Sequence, residues 1–289
     1  MATDAVTHGH PDARPSSRGQ VWFGQARSFF TRYARELLRN KTVLFWSLGF
    51  PVGFYLLTIS VFIPTDQIPA DVLPLVYAST AISYGTFGAV IVCLNSFGTQ
   101  LAADFEAGRY KQFRALPIAP TADLAGRMAA GLALAAVAFA AVVLVSLGTG
   151  AEYAVQGIAS IPVAVLAFGS FAVVWMVLAT AIVTVVGDER YATIITVAIA
   201  LLSYMLTGFN GTDPASYSGP DWLLNYLPNT LPTRLLVAHF VDGSAQSLAP
   251  PAVPGTVWGL ATLGVYAALS LAVGVVVVRA VVYRKGVLP

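Results

Sequence analysis

Apolar residues are not spread evenly along this chain. They gather into six long runs: Val43 to Ile63, Val72 to Gln100, Met128 to Leu147, Ile161 to Val186, Tyr191 to Phe209 and Thr256 to Tyr283. A helix needs about 20 apolar residues to cross a hydrocarbon core of roughly 30 Å, and each run reaches that length. The pattern predicts an all-α, polytopic membrane protein with six transmembrane helices. Ahead of the first run, Trp22, Ala26, Phe29, Phe30, Tyr33 and Leu37 recur at spacings of three and four, with Arg32, Arg35 and Arg39 on the other side of the wheel. That periodicity predicts an amphipathic helix over Gly19 to Lys41 that lies in the membrane interface. It serves either as a plain anchor or as a connector that carries motion from a partner. Between the fifth and sixth runs, Pro214, Pro220, Pro228 and Pro232 surround two short apolar stretches, Trp222 to Leu227 and Leu235 to Val241. Proline is tolerated in the first turn of a helix, where its missing N–H is not needed. Pro220 and Pro232 therefore predict the starts of two short outer re-entrant helices, a lid over whatever the spans enclose.

Charge orients this pattern. Fifteen of the sixteen Lys and Arg residues fall on one side of the six spans, and Arg234 is the exception. Arg14, Arg18, Arg27, Arg32, Arg35, Arg39 and Lys41 precede the first span, Arg109, Lys111, Arg114 and Arg127 follow the second, Arg190 follows the fourth, and Arg279, Arg284 and Lys285 close the chain. Basic residues near span ends are retained in the cytoplasm, which places both termini inside a bacterial inner membrane. Asp66, Asp71, Glu152, Asp213, Asp221 and Asp242 fall outside. In the outer loop, Arg234 and His239 are expected to snorkel to headgroups or to pair with Asp242. The basic clusters read as topology and headgroup contact, with no nucleic-acid partner. Residues 1–18 hold no apolar core for a secretory signal and read as a disordered tail ahead of one transmembrane domain, 19–289. His8 and His10 on that tail make no convincing metal site.

Absences narrow the chemistry. The single cysteine, Cys93, lies in an apolar run, so neither a disulfide framework nor a thiolate metal site is available. No phosphate-binding loop, His-Glu-x-x-His or Gly-x-Ser-x-Gly occurs. The middles of the spans also lack the Asp, Glu, His or Arg that proton- or sodium-coupled carriers place there. The chain is expected not to be an enzyme, and an energy source has to come from another subunit.

One loop carries a more specific signal. After the second span the chain reads Ala103-Asp104-Phe105-Glu106-Ala107-Gly108-Arg109-Tyr110-Lys111-Gln112-Phe113-Arg114-Ala115-Leu116-Pro117-Ile118-Ala119-Pro120. It is a mixed-charge amphipathic turn ended by two prolines, and it resembles the cytoplasmic signature of ABC-2 type (type V exporter) permeases, the membrane subunits of ATP-binding-cassette exporters of the daunorubicin-resistance kind. Glu106, Gly108, Lys111, Arg114, Leu116, Pro117 and Pro120 match; Arg109 stands where threonine often follows the glycine. Arg39-Asn40-Lys41 and Leu227-Pro228-Asn229-Thr230-Leu231-Pro232 extend the resemblance to the family's connecting helix and outer helices. The resemblance implies a half-transporter: a second permease protomer, identical or paralogous, and two cytoplasmic ATPases that carry ATP and Mg, with no cofactor on this chain. It also implies that Glu106, Gly108, Arg109, Lys111, Arg114 and Pro117 form the coupling helix. Trp22, Phe29, Arg32, Tyr33, Arg35 and Arg39 would belong to the connecting helix. A solvated, topology-setting loop is the other reading of the same segment.

The second span, about 29 residues and so roughly 43 Å long, exceeds what the apolar core requires. Asn95, Ser96, Thr99 and Gln100 on its inner half, with Ser83, Tyr84 and Thr86 further out and Ser203, Tyr204 and Thr207 on the fifth span, form a polar seam. Such groups need partners in lipid. They serve interhelical hydrogen bonding, or they line an exit path at a dimer interface. Few charges and several aromatics on that path suit a hydrophobic or amphipathic cargo, a drug-like natural product or a lipid. A lipid-linked polysaccharide exporter of the same fold and a non-transporting scaffold or sensor are the alternatives. Gly49 and Gly53 form a Gly-x-x-x-Gly pair that would permit close helix approach.

Overall fold

The computed structural model describes residues 17–242 and 249–282. The tail through Arg14, with His8 and His10, and the closing Arg284 and Lys285 lie outside them. Helix α1 (Arg18–Arg39) begins at a reciprocal cap, in which Ser17 accepts from the Gln20 amide while the Gln20 side chain accepts from Ser17. It ends at Asn40, whose extended backbone breaks the helix. The Asn40 side chain accepts from the Thr42 and Val43 amides and so starts the next helix.

Among the described residues, six helices are long and apolar enough to cross a membrane: α2 (Lys41–Phe62), α3 (Leu73–Glu106), α5 (Pro120–Gly148), α6 (Ser160–Val186), α7 (Glu189–Leu206) and α9 (Thr256–Ala280). The short α4 (Arg109–Arg114) lies between α3 and α5, and α8 (Thr230–Phe240) between α7 and α9. Among the described residues no strand occurs. The bounds differ most from expectation around the signature loop. α3 continues six residues past Gln100, and α5 begins eight residues before Met128, with Pro120 in its first turn. Both extensions are built from residues that hydropathy alone assigns to a loop, and they become helical because their charges find partners inside the protein.

α3 is the central element. Residues Ala81 to Leu94 are buried almost without interruption, packed by α2, α5, α6 and α7. α2, α7 and α9 leave most of their apolar surface bare, as lipid-facing helices do. The Gly-x-x-x-Gly pair makes no close approach within the chain, because a side chain at Gly53 would meet open space. The tight α2–α3 contact is instead Gly88 against Pro51. α1 lies along α5, and Gly126 is where their backbones meet: a Cβ there would stand 2.5 Å from the Ala26 carbonyl oxygen.

Beyond Leu206 the chain turns sharply. Gly208, Phe209 and Asn210 all hold positive φ, and short 3-10 turns follow at Pro214–Ser216 and Asp221–Asn225. Pro220 precedes only the short 3-10 turn at Asp221–Asn225, where a re-entrant helix was expected, and Pro232 is the third residue of α8. α8 is buried from Thr230 to Val237, with Leu231 and Leu235 against Ala167 and Leu263, and Leu236 and Val237 among Ala78 and Ile82.

Candidate functional site

The residues with chemistry gather at two ends of the bundle. At the basic end the centre is Asp104, in the last turn of α3 and fully buried. Its carboxylate accepts from three arginines: Arg32 of α1 at 3.2 Å, Arg109 of α4 and Arg127 of α5. Arg32 and Arg109 also reach Glu36. Although burial opposes the charge of Arg32, Asp104 and Glu36 more than restore it, and its pKa rises. Arg127 is buried, donates to the Tyr33 hydroxyl at 2.6 Å and lies over the Tyr33 ring, 3.8 Å from its centroid. The same hydroxyl donates to Asp123 at 2.7 Å, and burial pushes the Tyr33 pKa up, so it stays protonated and able to donate. One network thus joins α1, α3, α4 and α5.

A loop stands on this network. Gly108 takes a left-handed φ of 64° that turns the chain from α3 into α4. Tyr110 is buried against Phe105 and Phe113, while Lys111, Gln112, Arg114, Ala115, Leu116 and Pro117 are exposed. α1 clamps the far side: Gln25 donates to the Pro117 carbonyl at 2.8 Å and accepts from the Ala119 amide at 2.9 Å, and the Trp22 indole donates to Thr121 at 3.0 Å.

Several expectations change here. Arg32 turns inward to Asp104, whereas Arg35 and Arg39 are exposed as the helical wheel requires. Phe29, Tyr33 and Leu37 are buried, but Phe30 and Trp22 stay more than a third exposed. Arg109 folds back toward the protein. Glu106 is exposed at the edge of the loop and accepts from the Glu189 amide at 2.9 Å, so with Asp188 it caps the first turn of α7. Arg127, taken as a loop charge, is a core residue.

At the acidic end, α2, α3, α7 and the segments around α8 enclose a cavity of about 690 Å³. Phe54, Phe62, Ile63, Ile68, Val76 and Met205 give it apolar walls, and Thr58, Ser83, Tyr84, Asp213 and Arg234 supply polar groups. Tyr84 shares a 2.7 Å hydrogen bond with Thr58, and Ser83 donates to the Phe209 carbonyl at 2.6 Å and to the Tyr204 hydroxyl at 3.3 Å. Behind this wall Asn210 donates to Thr86 at 3.0 Å, and Asn229 donates to Asn210 at 3.0 Å and to Thr207 at 2.7 Å. These buried bonds hold the left-handed turn after α7 in place. Thr233 of α8 also donates to Thr86, at 3.0 Å. Nothing in the local pattern flags Asn210 or Thr233, because their shared partner Thr86 lies more than a hundred residues away.

The polar seam divides in two. Ser83, Tyr84 and Tyr204 line the cavity, but the inner group does not continue it. Ser96 bonds Ser47 at 3.1 Å, Thr99 bonds Asn95 and Thr193, and Gln100 donates to Glu36 and the Tyr33 carbonyl. Ser203 donates to Ala200 within its own helix. Ser96, Thr99 and Gln100 thus bond across helices, while Asn95 accepts from Thr99 within α3.

Arg234 and His239 do not snorkel outward. Arg234 is 3% exposed and its Nη2 donates to the carbonyls of Ala249, at 2.9 Å, and Pro251. Burial lowers its pKa to about 10, which leaves it charged at neutral pH. His239 bridges Ser160 (3.1 Å) and Thr256 (2.9 Å), the first residues of α6 and α9, and burial lowers its pKa. Among the described residues no group of three or more His, Cys, Asp or Glu could hold a metal. No family model matches the chain, and no curated protein matches its sequence.

Proposed function

We propose that the chain is the permease subunit of an ATP-driven exporter in a bacterial cell membrane, with its basic end in the cytoplasm and its cargo a hydrophobic or amphipathic molecule. The observation that carries this reading is the Asp104 network. It ties the exposed loop and α1 to α3 and α5, and α3 runs without a break from that network to the cavity wall. A cytoplasmic ATPase that binds ATP and Mg would press on Lys111, Arg114, Leu116 and Pro117, a small mixed surface suited to a reversible polar contact. The clamp of Gln25 and Trp22 supports the connector reading of α1, because a loop held on both sides moves as a body. The bare faces of α2 and α7 leave room for a second protomer. α8 and the turn before it would act as the outer re-entrant lid.

The test combines partner capture with charge reversal. The tagged chain, purified from native membranes in mild detergent, is expected to bring down a soluble ATPase with a phosphate-binding loop in stoichiometric amount. Lys111→Glu with Arg114→Glu should abolish that capture while membrane insertion and thermal stability stay at wild-type values. Recovery of the chain alone, under conditions that keep other such complexes intact, would count against the exporter reading and favour a scaffold.

A further inference from the structure

The apolar residues of α1 fall on two faces, and the fold covers only one. Phe29, Tyr33 and Leu37, which the spacing turns toward the membrane, are instead buried in the core that α1 shares with α5. Left bare are Phe23 (66% exposed), Phe30 and Leu38 (60%), with Ala34 half-buried among them. At 3.6 residues per turn these positions form one stripe, with Arg27 inside it, on the side of α1 opposite Gln25, Arg32 and Glu36. Those three face the loop and the Asp104 network. Only Asn40 separates α1 from α2, so α1 leaves the first span at the membrane surface, and Phe45 and Trp46 at the start of α2 are bare as well. Arg27, Arg35, Arg39 and Lys41 are exposed and form no ion pair among the described residues. Glu36, the one acidic residue of α1, is already engaged by Arg32, Arg109 and Gln100.

We propose that this stripe docks on the anionic phospholipids of the leaflet at the basic end of the bundle. Phe23, Phe30 and Leu38 enter the acyl boundary, and Arg27, Arg35, Arg39 and Lys41 meet the phosphate groups. The loop and the stripe lie on opposite sides of one helix, so a loop that stands in water turns the stripe to the bilayer. Aromatic and aliphatic side chains in a row along a basic helix are what an interfacial helix presents to lipid. The basic residues choose among lipids: four cations with no partner in the protein are attracted to an anionic surface and gain little from a zwitterionic one. Gln25 and Trp22 clamp the loop to the same helix, so this contact also fixes the height at which the loop stands over the membrane. The lipid contact does not depend on the exporter reading.

Quenching by labelled lipid tests it on the full chain. Thr31→Cys, beside the stripe and bonded only within its own helix, takes a bimane label, while the buried Cys93 stays unlabelled. The labelled chain is reconstituted in phosphatidylcholine vesicles that contain increasing fractions of nitroxide-labelled phosphatidylcholine or nitroxide-labelled phosphatidylglycerol. Both lipids are expected to quench, and phosphatidylglycerol should reach half-quenching at about fivefold lower fraction, the gain that a single basic residue brings at an anionic surface. Arg27→Gln, Arg35→Gln, Arg39→Gln and Lys41→Gln together should bring the two fractions to the same value while both lipids still quench. Melting of that variant is read in parallel; if it fails to fold, high salt on the parent Thr31→Cys chain decides, because screening should remove the preference and leave the quenching. Equal half-quenching fractions at low salt, quenching by neither lipid, or a preference that survives both salt and the four substitutions would overturn the surface. Each of these results leaves the ATPase capture untouched, so the two readings fail separately.

Discussion

Asp104 shows how much one side chain can organise when it is removed from water. An isolated buried carboxylate is strongly unfavourable, and so is an isolated buried guanidinium; here three arginines answer the Asp104 carboxylate, with Glu36 and Asp123 adjoining, while Nε and Nη1 of Arg127 stay buried without a hydrogen-bond partner. Removing one partner of a buried pair generally costs about 3–5 kcal/mol. Asp104→Asn should therefore lower the melting temperature in detergent well below that of the wild type, whereas Glu106→Gln, at the exposed edge, should shift it little. Equal melting curves for the two variants would show that the network is not what holds the loop. His239 makes a second prediction at this scale. Burial depresses its pKa, so the folded protein binds fewer protons than the unfolded chain as pH falls through the ordinary histidine range near 6.5. The stability contributed by the Ser160–His239–Thr256 bridge is thus present above about pH 6.5 and lost below it. Melting between pH 7.5 and 5.5 should fall more steeply for the wild type than for His239→Gln.

At the scale of elements, the decisive contact is between α1 and α5. An amphipathic helix with Phe29, Tyr33 and Leu37 on one face could rest on lipid alone, but Gly126 lets its backbone lie against α5. A methyl group at Gly126 meets the Ala26 oxygen, the Phe29 Cβ and the Phe30 nitrogen, none of them a flexible side-chain end. Overpacking of that kind costs about 1–3 kcal/mol. Gly126→Ala should loosen α1, read as faster proteolysis between residues 18 and 39, and Gly126→Leu should release it further. No change in cleavage would mean that α1 is held by lipid rather than by α5. α3 carries a related feature: a π-helical turn at Val92–Ser96, between the cavity wall and the Asp104 network. Such turns shift the register of a helix, so the two ends of α3 present different faces.

For the whole molecule, the prediction concerns orientation. Cys93 is buried and solitary, which gives a quiet background for labelling. Lys111→Cys should react with a membrane-impermeant maleimide only after cells are opened, and Asp66→Cys should react in intact cells. The reverse pattern would invert the topology that the basic residues predict and would place the cavity on the cytoplasmic side.

Six helices and their approximate limits were legible from hydropathy, because crossing a hydrocarbon layer demands a length and an apolarity that few other structures share. The amphipathic α1 was legible for a similar reason: helical periodicity is local. What periodicity does not carry is which polar residue meets which. Arg32 belongs by spacing to a solvated face and by contact to Asp104, seventy-two residues away, and Arg127 passes from loop to core because α5 starts at Pro120. The seam of Asn95, Ser96 and Gln100 looked continuous with Tyr84 because position along one helix is all that sequence supplies. α1, α2 and α7 take up the hydrogen bonds of Gln100, Ser96 and Thr99 on its inner half, whereas Ser83 and Tyr84 on its outer half line the cavity. Arg234 is the sharpest case, since a lone arginine between two spans reads as a headgroup contact until α8 packs into the bundle and buries it. Solvation preference is written residue by residue; hydrogen-bond pairing across the bundle is settled only when distant helices come together.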